Sequence, residues 1–278
     1  QVVYCNGVDT CIWGGNEMAS GAFIVSTAVI ADDGSATNPR DYSQVMRNTK
    51  TDSENVALIG GGLDDYTKLL IHFDGVDAAT TDLTATTGQT IALEGNACLD
   101  TAQKQFGTAS LYCDGTGDYA TAPDHANWNF GTGDFTIDTY IRLADDAVVN
   151  GICGQYTDTD NYWLFYYNNN KTISFAAKAT SVIASYSTPA LSLAENTWYH
   201  IELVRNGANV YLFINGVSQT FTASTAISTN AMPDLAGVLY IGAHRWEATI
   251  TGMKGWLDEF RISKGVARHT ANFSVPVR

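Results

Sequence analysis

The sequence predicts an all-β protein, an antiparallel β-sandwich with a small β-rich extension ahead of it, and three observations predict it. Charged residues are only 16% of the 278-residue chain, while 25 glycines and 11% aromatics accompany many Ser, Thr and Asn, the composition of a strand-and-turn protein. Short runs of alternating apolar and polar residues follow one another with turn residues between them. One stretch, Thr197 to Gly216, spells out a hairpin in full. In it Trp198, His200, Glu202 and Val204 alternate with Tyr199, Ile201, Leu203 and Arg205. Asn206-Gly207 offers a tight turn, Val210, Leu212 and Ile214 resume the alternation, and Asn215-Gly216 closes the second strand.

At 45% hydrophobic the chain is long enough for one large sandwich plus an extra piece. Residues 1–62 form the extension, which reads as a docking segment. Val2–Cys5, Thr10–Trp13 and Gly21–Ile30 are strand-like, a loop runs through Asp32-Asp33-Gly34 and Asn38-Pro39, Arg40 to Lys50 offers one short helix, and Gly60-Gly61-Gly62 reads as a hinge. With Asn6-Gly7 as a two-residue turn, Cys5 faces Val8 and Cys11 faces Val2, so a Cys5–Cys11 bridge would need a wider turn.

Residues 63–278 form the sandwich. Strands are expected near 66–73, 106–113, 117–122, 135–143, 151–155, 161–167, 171–178, 197–205, 209–215, 238–242 and 256–263. Along 135–143, Phe135, Ile137, Thr139, Ile141 and Leu143 are expected on a buried face, with Thr136, Asp138, Tyr140 and Arg142 on a wet one.

Charge narrows the function. The formal net charge is -14, from 15 Lys plus Arg against 29 Asp plus Glu, and no basic cluster fit to neutralise phosphates is present, which argues against nucleic-acid binding. No apolar run approaches the ~20 residues that a membrane-spanning helix needs. The chain begins at Gln1 without a basic start ahead of an apolar core, which is how a processed product or a fragment reads. Five cysteines leave at least one unpaired within the chain, and none has C-x-x-C spacing. Cys98 and Cys113, at the ends of adjacent expected strands, are the candidate disulfide; the alternative is reduced cysteines acting as small buried hydrophobes.

Five motifs in order carry a resemblance. They are Ile71-His-Phe-Asp-Gly, Phe106-Gly-Thr-Ala-Ser-Leu-Tyr-Cys-Asp-Gly-Thr-Gly-Asp-Tyr, Asp134-Phe-Thr-Ile-Asp, the Trp198 hairpin, and Gly255-Trp-Leu-Asp-Glu-Phe-Arg-Ile-Ser. From about residue 66 onward the chain resembles laminin G-like domains of the concanavalin A-like jelly-roll group. Its tail, Lys264-Gly-Val-Ala-Arg-His-Thr-Ala-Asn-Phe-Ser-Val-Pro, resembles the closing segment of such domains in bacterial and bacteriophage surface proteins. The first 62 residues resemble, more loosely, segments that precede such domains in phage virion proteins. The resemblance implies the jelly-roll fold and an extracellular or virion-surface setting.

Catalysis finds little support in the residues. Glycosidases on this sandwich need two carboxyls ~5 Å or ~6.5–9.5 Å apart, and the Glu-x-Asp-x-x-Glu arrangement of family 16-type glucanases is absent from the expected strands. His72, His125, His200, His244 and His269 show no H-E-x-x-H spacing, no Ser sits in a G-x-S-x-G elbow, and no phosphate loop is present. Calcium is the ion the loops suit. Asp158, Asp160 and Asn161 fall in one turn, and Asp74, Asp114, Asp118 and Asp258 fall at family motif positions near strand ends, where they serve equally as turn caps.

Glycan binding needs exposed aromatic platforms beside a few polar groups. The strand from Asn161 carries aromatics on both faces, so either Tyr162 and Tyr166 or Trp163, Phe165 and Tyr167 point away from the core. With Trp128, Tyr156 and His244-Arg245-Trp246 in expected loops or nearby, the glycan-contact candidates are Trp128, Tyr156, Trp163, Tyr167, Arg245 and Trp246. The expected function is a non-catalytic adhesion or structural module of a virion or cell surface that recognises glycan through loops of the sandwich. The alternative is a capsid, tail or filament protein whose partners are other copies of itself or virion proteins, with homo-oligomerisation and strand addition through the first 62 residues. A glycosidase on the same sandwich comes third.

Overall fold

The computed structural model describes residues 63–275, together with the backbone of Val3–Cys5 and Cys11–Trp13. The chain divides into two compact units, Gln1–Asp64 and Asp65–Arg278. In the first, β1 (Val3–Cys5) pairs antiparallel with β2 (Cys11–Trp13), and Cys5 lies opposite Cys11 in the ladder. That register corrects the two-residue turn expected at Asn6-Gly7, because residues 6–10 all lie between the strands. The expected strand at Gly21–Ile30, the helix at Arg40–Lys50 and the hinge at Gly60–Gly62 fall outside the described residues.

The second unit continues with β3 (Thr67–Ile71), β4 (Leu83–Thr84), β5 (Thr90–Glu94), β6 (Cys98–Asp100), β7 (Ser110–Asp114), β8 (Tyr119–Ala122) and β9 (Phe135–Leu143). Next come β10 (Asn150–Asp158), β11 (Asn161–Tyr167), β12 (Ile173–Ala179), β13 (Ser181–Ser187), β14 (Trp198–Asn206) and β15 (Asn209–Ile214). The last are β16 (Val217–Ser218), β17 (Thr222–Thr225), β18 (Leu239–Ile241), β19 (Ala243–Trp246), β20 (Thr249–Gly252) and β21 (Lys254–Lys264). One sheet has the order β17-β13-β12-β11-β10-β18-β8-β5-β4. The other has the order β16-β15-β14-β9-β21-β7-β6, with β3 also paired to β21. Two antiparallel sheets face to face make the jelly-roll sandwich that the motifs led one to expect.

Period-two alternation builds the core between them. Phe135, Ile137 and Ile141 of β9, Ile201 and Leu203 of β14, and Leu257 and Ile262 of β21 project inward from one sheet, meeting Trp163, Phe165 and Tyr167 of β11 and Phe175 of β12 from the other. The sheets touch through rings: Phe135 meets Phe175 at 6.3 Å between centroids. The buried Trp163 indole is satisfied by Gln155, whose Oε1 accepts from Nε1 at 3.1 Å while its own amide donates to the Gly237 carbonyl at 2.9 Å.

The central hairpin forms, with a shifted turn. Asn206 pairs with Asn209, so Gly207 and Ala208 make the loop, and only Gly207 of the two has a positive φ, 58°. That is the dihedral pattern of a type II′ turn, with glycine at its first central position. The next turn, between Ile214 and Val217, places Asn215 at φ 49° and Gly216 at 75°, the pattern of type I′.

The face of β9 expected to be wet is covered instead. The Thr136 hydroxyl donates to the Val266 carbonyl and accepts from the Arg268 amide, His269 Nδ1 lies 2.9 Å from Glu202 Oε1, and the Phe273 ring stacks on His269 at 3.5 Å. The closing segment thus covers Thr136, His200 and Glu202 on the outer side of the sheet, and Asp138, held between His200 and Arg261, is buried there too. Burial alone would push the Asp138 carboxyl up, but Arg261, whose Nε lies 2.8 Å away, and His200 outweigh it and hold it below the usual carboxylate range. Arg142, beyond the reach of the tail, stays half-exposed.

Candidate functional site

The candidate site lies on the outer face of the first sheet. Since Trp163, Phe165 and Tyr167 point into the core, alternation turns Tyr162, Leu164 and Tyr166 outward. Tyr156 of β10 stands directly opposite Tyr162, with the rings 6.4 Å apart. Tyr240 of β18 and Tyr119 of β8 extend the stripe, their rings 5.6 Å apart. Gly154 sits between Tyr240 and Leu164 in the ladder and leaves a gap in this row of side chains.

The hairpin β19–β20 lies against that gap. A Cβ on Gly151 would fall 2.4 Å from the His244 amide nitrogen and 2.5 Å from the Thr251 carbonyl oxygen, so glycine at this position admits the hairpin backbone, while one on Gly154 would sit 2.6 Å from the Trp163 carbonyl oxygen of the adjacent strand. Three consecutive side chains of β19 then meet the tyrosines. His244 stacks on Tyr166 at 4.8 Å, and burial pushes its imidazole down to about 4, which keeps it neutral near pH 7. The Arg245 guanidinium lies 5.0 Å from the centre of the Tyr156 ring, its Nε donates to the Glu247 carbonyl at 3.0 Å, and nearby Tyr240 favours its charged form. Trp246 meets Tyr162 edge to face at 4.8 Å yet remains 45% exposed. An open indole beside a guanidinium, both seated on tyrosine rings, can stack the apolar face of a ligand ring and donate hydrogen bonds to its oxygens.

Of the glycan-contact candidates, Tyr156, Arg245 and Trp246 therefore come together. Trp128, Trp163 and Tyr167 do not: all are in the main hydrophobic core, and on β11 the opposite set of aromatics faces out. Tyr119 and Tyr240 escaped the sequence reading, and His244, named there with its two neighbours, was not among the candidates. The alternation of β10 and β11 could have found the Tyr156 and Tyr162 pair, but nothing local says that Tyr119 lies beside Tyr240.

The acidic candidates are spread over turns and strands, Asp258 lying within β21, and several of their oxygens take backbone amides. Asp118 is fully buried, accepting from Asn96 N at 2.6 Å and Asp114 N at 3.0 Å. Asp258 Oδ2 accepts from Gln105 N and Phe106 N, and Asp74 accepts from Thr108. Asp158 Oδ1 accepts from Asp160 N and Asn161 Nδ2, while Asp160 pairs with Lys178 at 2.7 Å. Among the described residues no three His, Cys, Asp or Glu side chains are gathered to hold a metal ion.

The disulfide is a correction. Cys98 stands opposite Tyr112, not Cys113, so the two cysteines lie on opposite faces of their sheet, and Cys98, Cys113 and Cys153 are all free thiols. Asp138 and Glu202 face each other across β9 and β14, both buried and engaged with Arg261 and His269 respectively, which leaves this carboxylate pair closed.

The two-sheet antiparallel sandwich, with its outward tyrosine stripe, defines the class of protein. A family model of the concanavalin A-like lectin/glucanases superfamily, of the laminin G kind, matches residues 114–270, more than half of the chain, and the chain belongs to that superfamily. Domain 4 of AbnA, a GH43 extracellular arabinanase from Geobacillus stearothermophilus solved with arabinotriose, is similar with a TM-score of 0.53 at 15% identity, covering 72% of this chain and 93% of that one. A Trypanosoma rangeli sialidase mutant displaying trans-sialidase activity is similar with a TM-score of 0.52 at 13% identity, covering 73% of this chain and 31% of that one. The binding domain of botulinum neurotoxin DC in complex with SialylT has a TM-score of 0.50 at 14% identity, covering 73% and 49%. At such identities the likeness shows the fold, and this chain spans half or less of the sialidase and the toxin domain. No curated protein sequence matches the chain.

Proposed function

We propose that this chain is a non-catalytic glycan-recognition module working at the surface of a virion or a cell. The observation that carries the reading is Trp246, 45% exposed and held by ring contact on an outward tyrosine stripe, on a sheet face that would ordinarily be polar. Two similar sandwiches were solved with arabinotriose and with SialylT, which supports a saccharide as ligand. The surface setting is supported by the resemblance of the closing segment to those of bacterial and bacteriophage surface proteins. The non-catalytic role is supported by the burial of the facing carboxylates Asp138 and Glu202 and their engagement with Arg261 and His269.

A glycan array probed with the whole chain and with Trp246→Ala tests the reading. Wild-type binding to a defined set of saccharides, lost in Trp246→Ala, is the expected result. Absence of binding to every glycan, or binding untouched by the substitution, would sink it.

A further inference from the structure

We infer that the saccharide taken by this face is acidic and that Arg245 holds its carboxylate, an inference resting on the glycan reading above. Arg245 presents five N–H donors in one plane. Its hydrogen-bond acceptor is neutral, the Glu247 carbonyl 3.0 Å from Nε. Donors on the terminal nitrogens are left to spend, and among the described residues no carboxylate forms an ion pair with this guanidinium. Lys178 shows the contrast. It stands opposite Tyr162 on β12 and is already neutralised by Asp160 at 2.7 Å.

Place and chemistry agree. The guanidinium lies 5.0 Å from the centre of the Tyr156 ring, so an incoming carboxylate would meet, on an aromatic floor, a fork able to give two parallel charge-assisted hydrogen bonds. Trp246 follows Arg245 in sequence and rests on Tyr162, which faces Tyr156 across the ladder. A pyranose stacked on Trp246 with a carboxylate on the carbon beside its ring oxygen, as in uronic and sialic acids, presents both groups to neighbouring residues at once. The chain as a whole repels anions, with 29 acidic against 15 basic residues, so a preference for an acidic sugar has to arise from a local contact of this kind.

The test is an array of sialylated, uronate-bearing and neutral glycans probed with the full chain, followed by calorimetric titration of each hit against its uncharged partner, sialyllactose against lactose and oligogalacturonate against its methyl ester. The acidic member is expected to bind about tenfold more tightly or better. Arg245→Gln should bring the pair level, and Arg245→Lys, which keeps the charge without the fork, should fall between; thermal melts confirm that both variants fold. Hits confined to neutral glycans, or an acid preference that survives Arg245→Gln, would overturn the inference and leave the glycan reading standing. An array without any hit would overturn both.

Discussion

The indole of Trp246 and the phenol of Tyr162 meet at 4.8 Å between centroids and 68° between planes, a contact that fixes an exposed ring on a buried one. Such a pair contributes about 0.5–1.5 kcal/mol beyond the area it buries. Trp246→Ala is therefore expected to lower the melting temperature by no more than a few degrees in scanning calorimetry, while saccharide binding is lost. A collapse of the fold would mean that the ring serves packing alone.

Asp258 gives the fold a pH dependence of unusual sign. Burial pushes its carboxyl up, and neighbouring Glu259 adds to this, against the lowering pull of the Phe106 and Gln105 amides, leaving it at about 7. The folded state then holds a proton that the unfolded chain has released, so stability is full below about pH 4 and declines until about pH 7, by roughly 4 kcal/mol from this group. Asp258→Asn should flatten that slope in urea titrations run between those values. An unchanged slope would refute the assignment.

Asp118 ties two turns together from a fully buried position, accepting from Asn96 N and Asp114 N. Removing its oxygens in Asp118→Ala strands both amides and is expected to cost about 2–4 kcal/mol in chemical denaturation. Asp118→Asn, which keeps one oxygen as acceptor, should cost less.

Calcium at millimolar concentration is expected to leave the melting temperature where it was. Carboxylates at Asp74, Asp118, Asp158 and Asp258 already accept backbone amides, and no cluster of acids gathers among the described residues. A rise of several degrees would restore the ion that the acidic turns suggested.

Free thiols at Cys98, Cys113 and Cys153 predict that alkylation after denaturation, without reductant, labels all of them in mass spectrometry. In the native protein Cys98 should react slowly, because burial and the nearby Asp100 and Asp118 carboxylates raise its thiol. Cys113 and Cys153, both buried, should stay unlabelled until the fold opens.

Strands with strong alternation were legible one by one: β9, β11 and the β14–β15 hairpin stand where their patterns put them. Others were not, for a physical reason. β13, Ser-Val-Ile-Ala-Ser-Tyr-Ser, and β17, Thr-Ala-Ser-Thr, have little apolar period of their own and extend because neighbouring backbones offer them a ladder. The same holds for β19 and β20, whose course over the sheet depends on the bare Gly151 of a distant strand.

The site was half legible. Tyr156, Arg245 and Trp246 could be singled out as aromatic or cationic residues near expected loops, but the choice between the two faces of β11 rests on which set finds a hydrophobic partner across the sandwich, and Trp163, Phe165 and Tyr167 do. Register decided the cysteines in the same way, since moving by one residue, from Tyr112 to Cys113, changes the face of the sheet.

By itself the sequence determined the two antiparallel sheets, the hairpin between Trp198 and Ile214, and the superfamily they belong to, because alternation and turn residues are local properties of the chain. Tertiary structure alone decided that the closing segment covers Thr136, His200 and Glu202, and that His244, Arg245 and Trp246 come to rest on Tyr166, Tyr156 and Tyr162. Those outcomes depend on which distant surfaces meet, and burial of that kind has no signature within the segment that undergoes it.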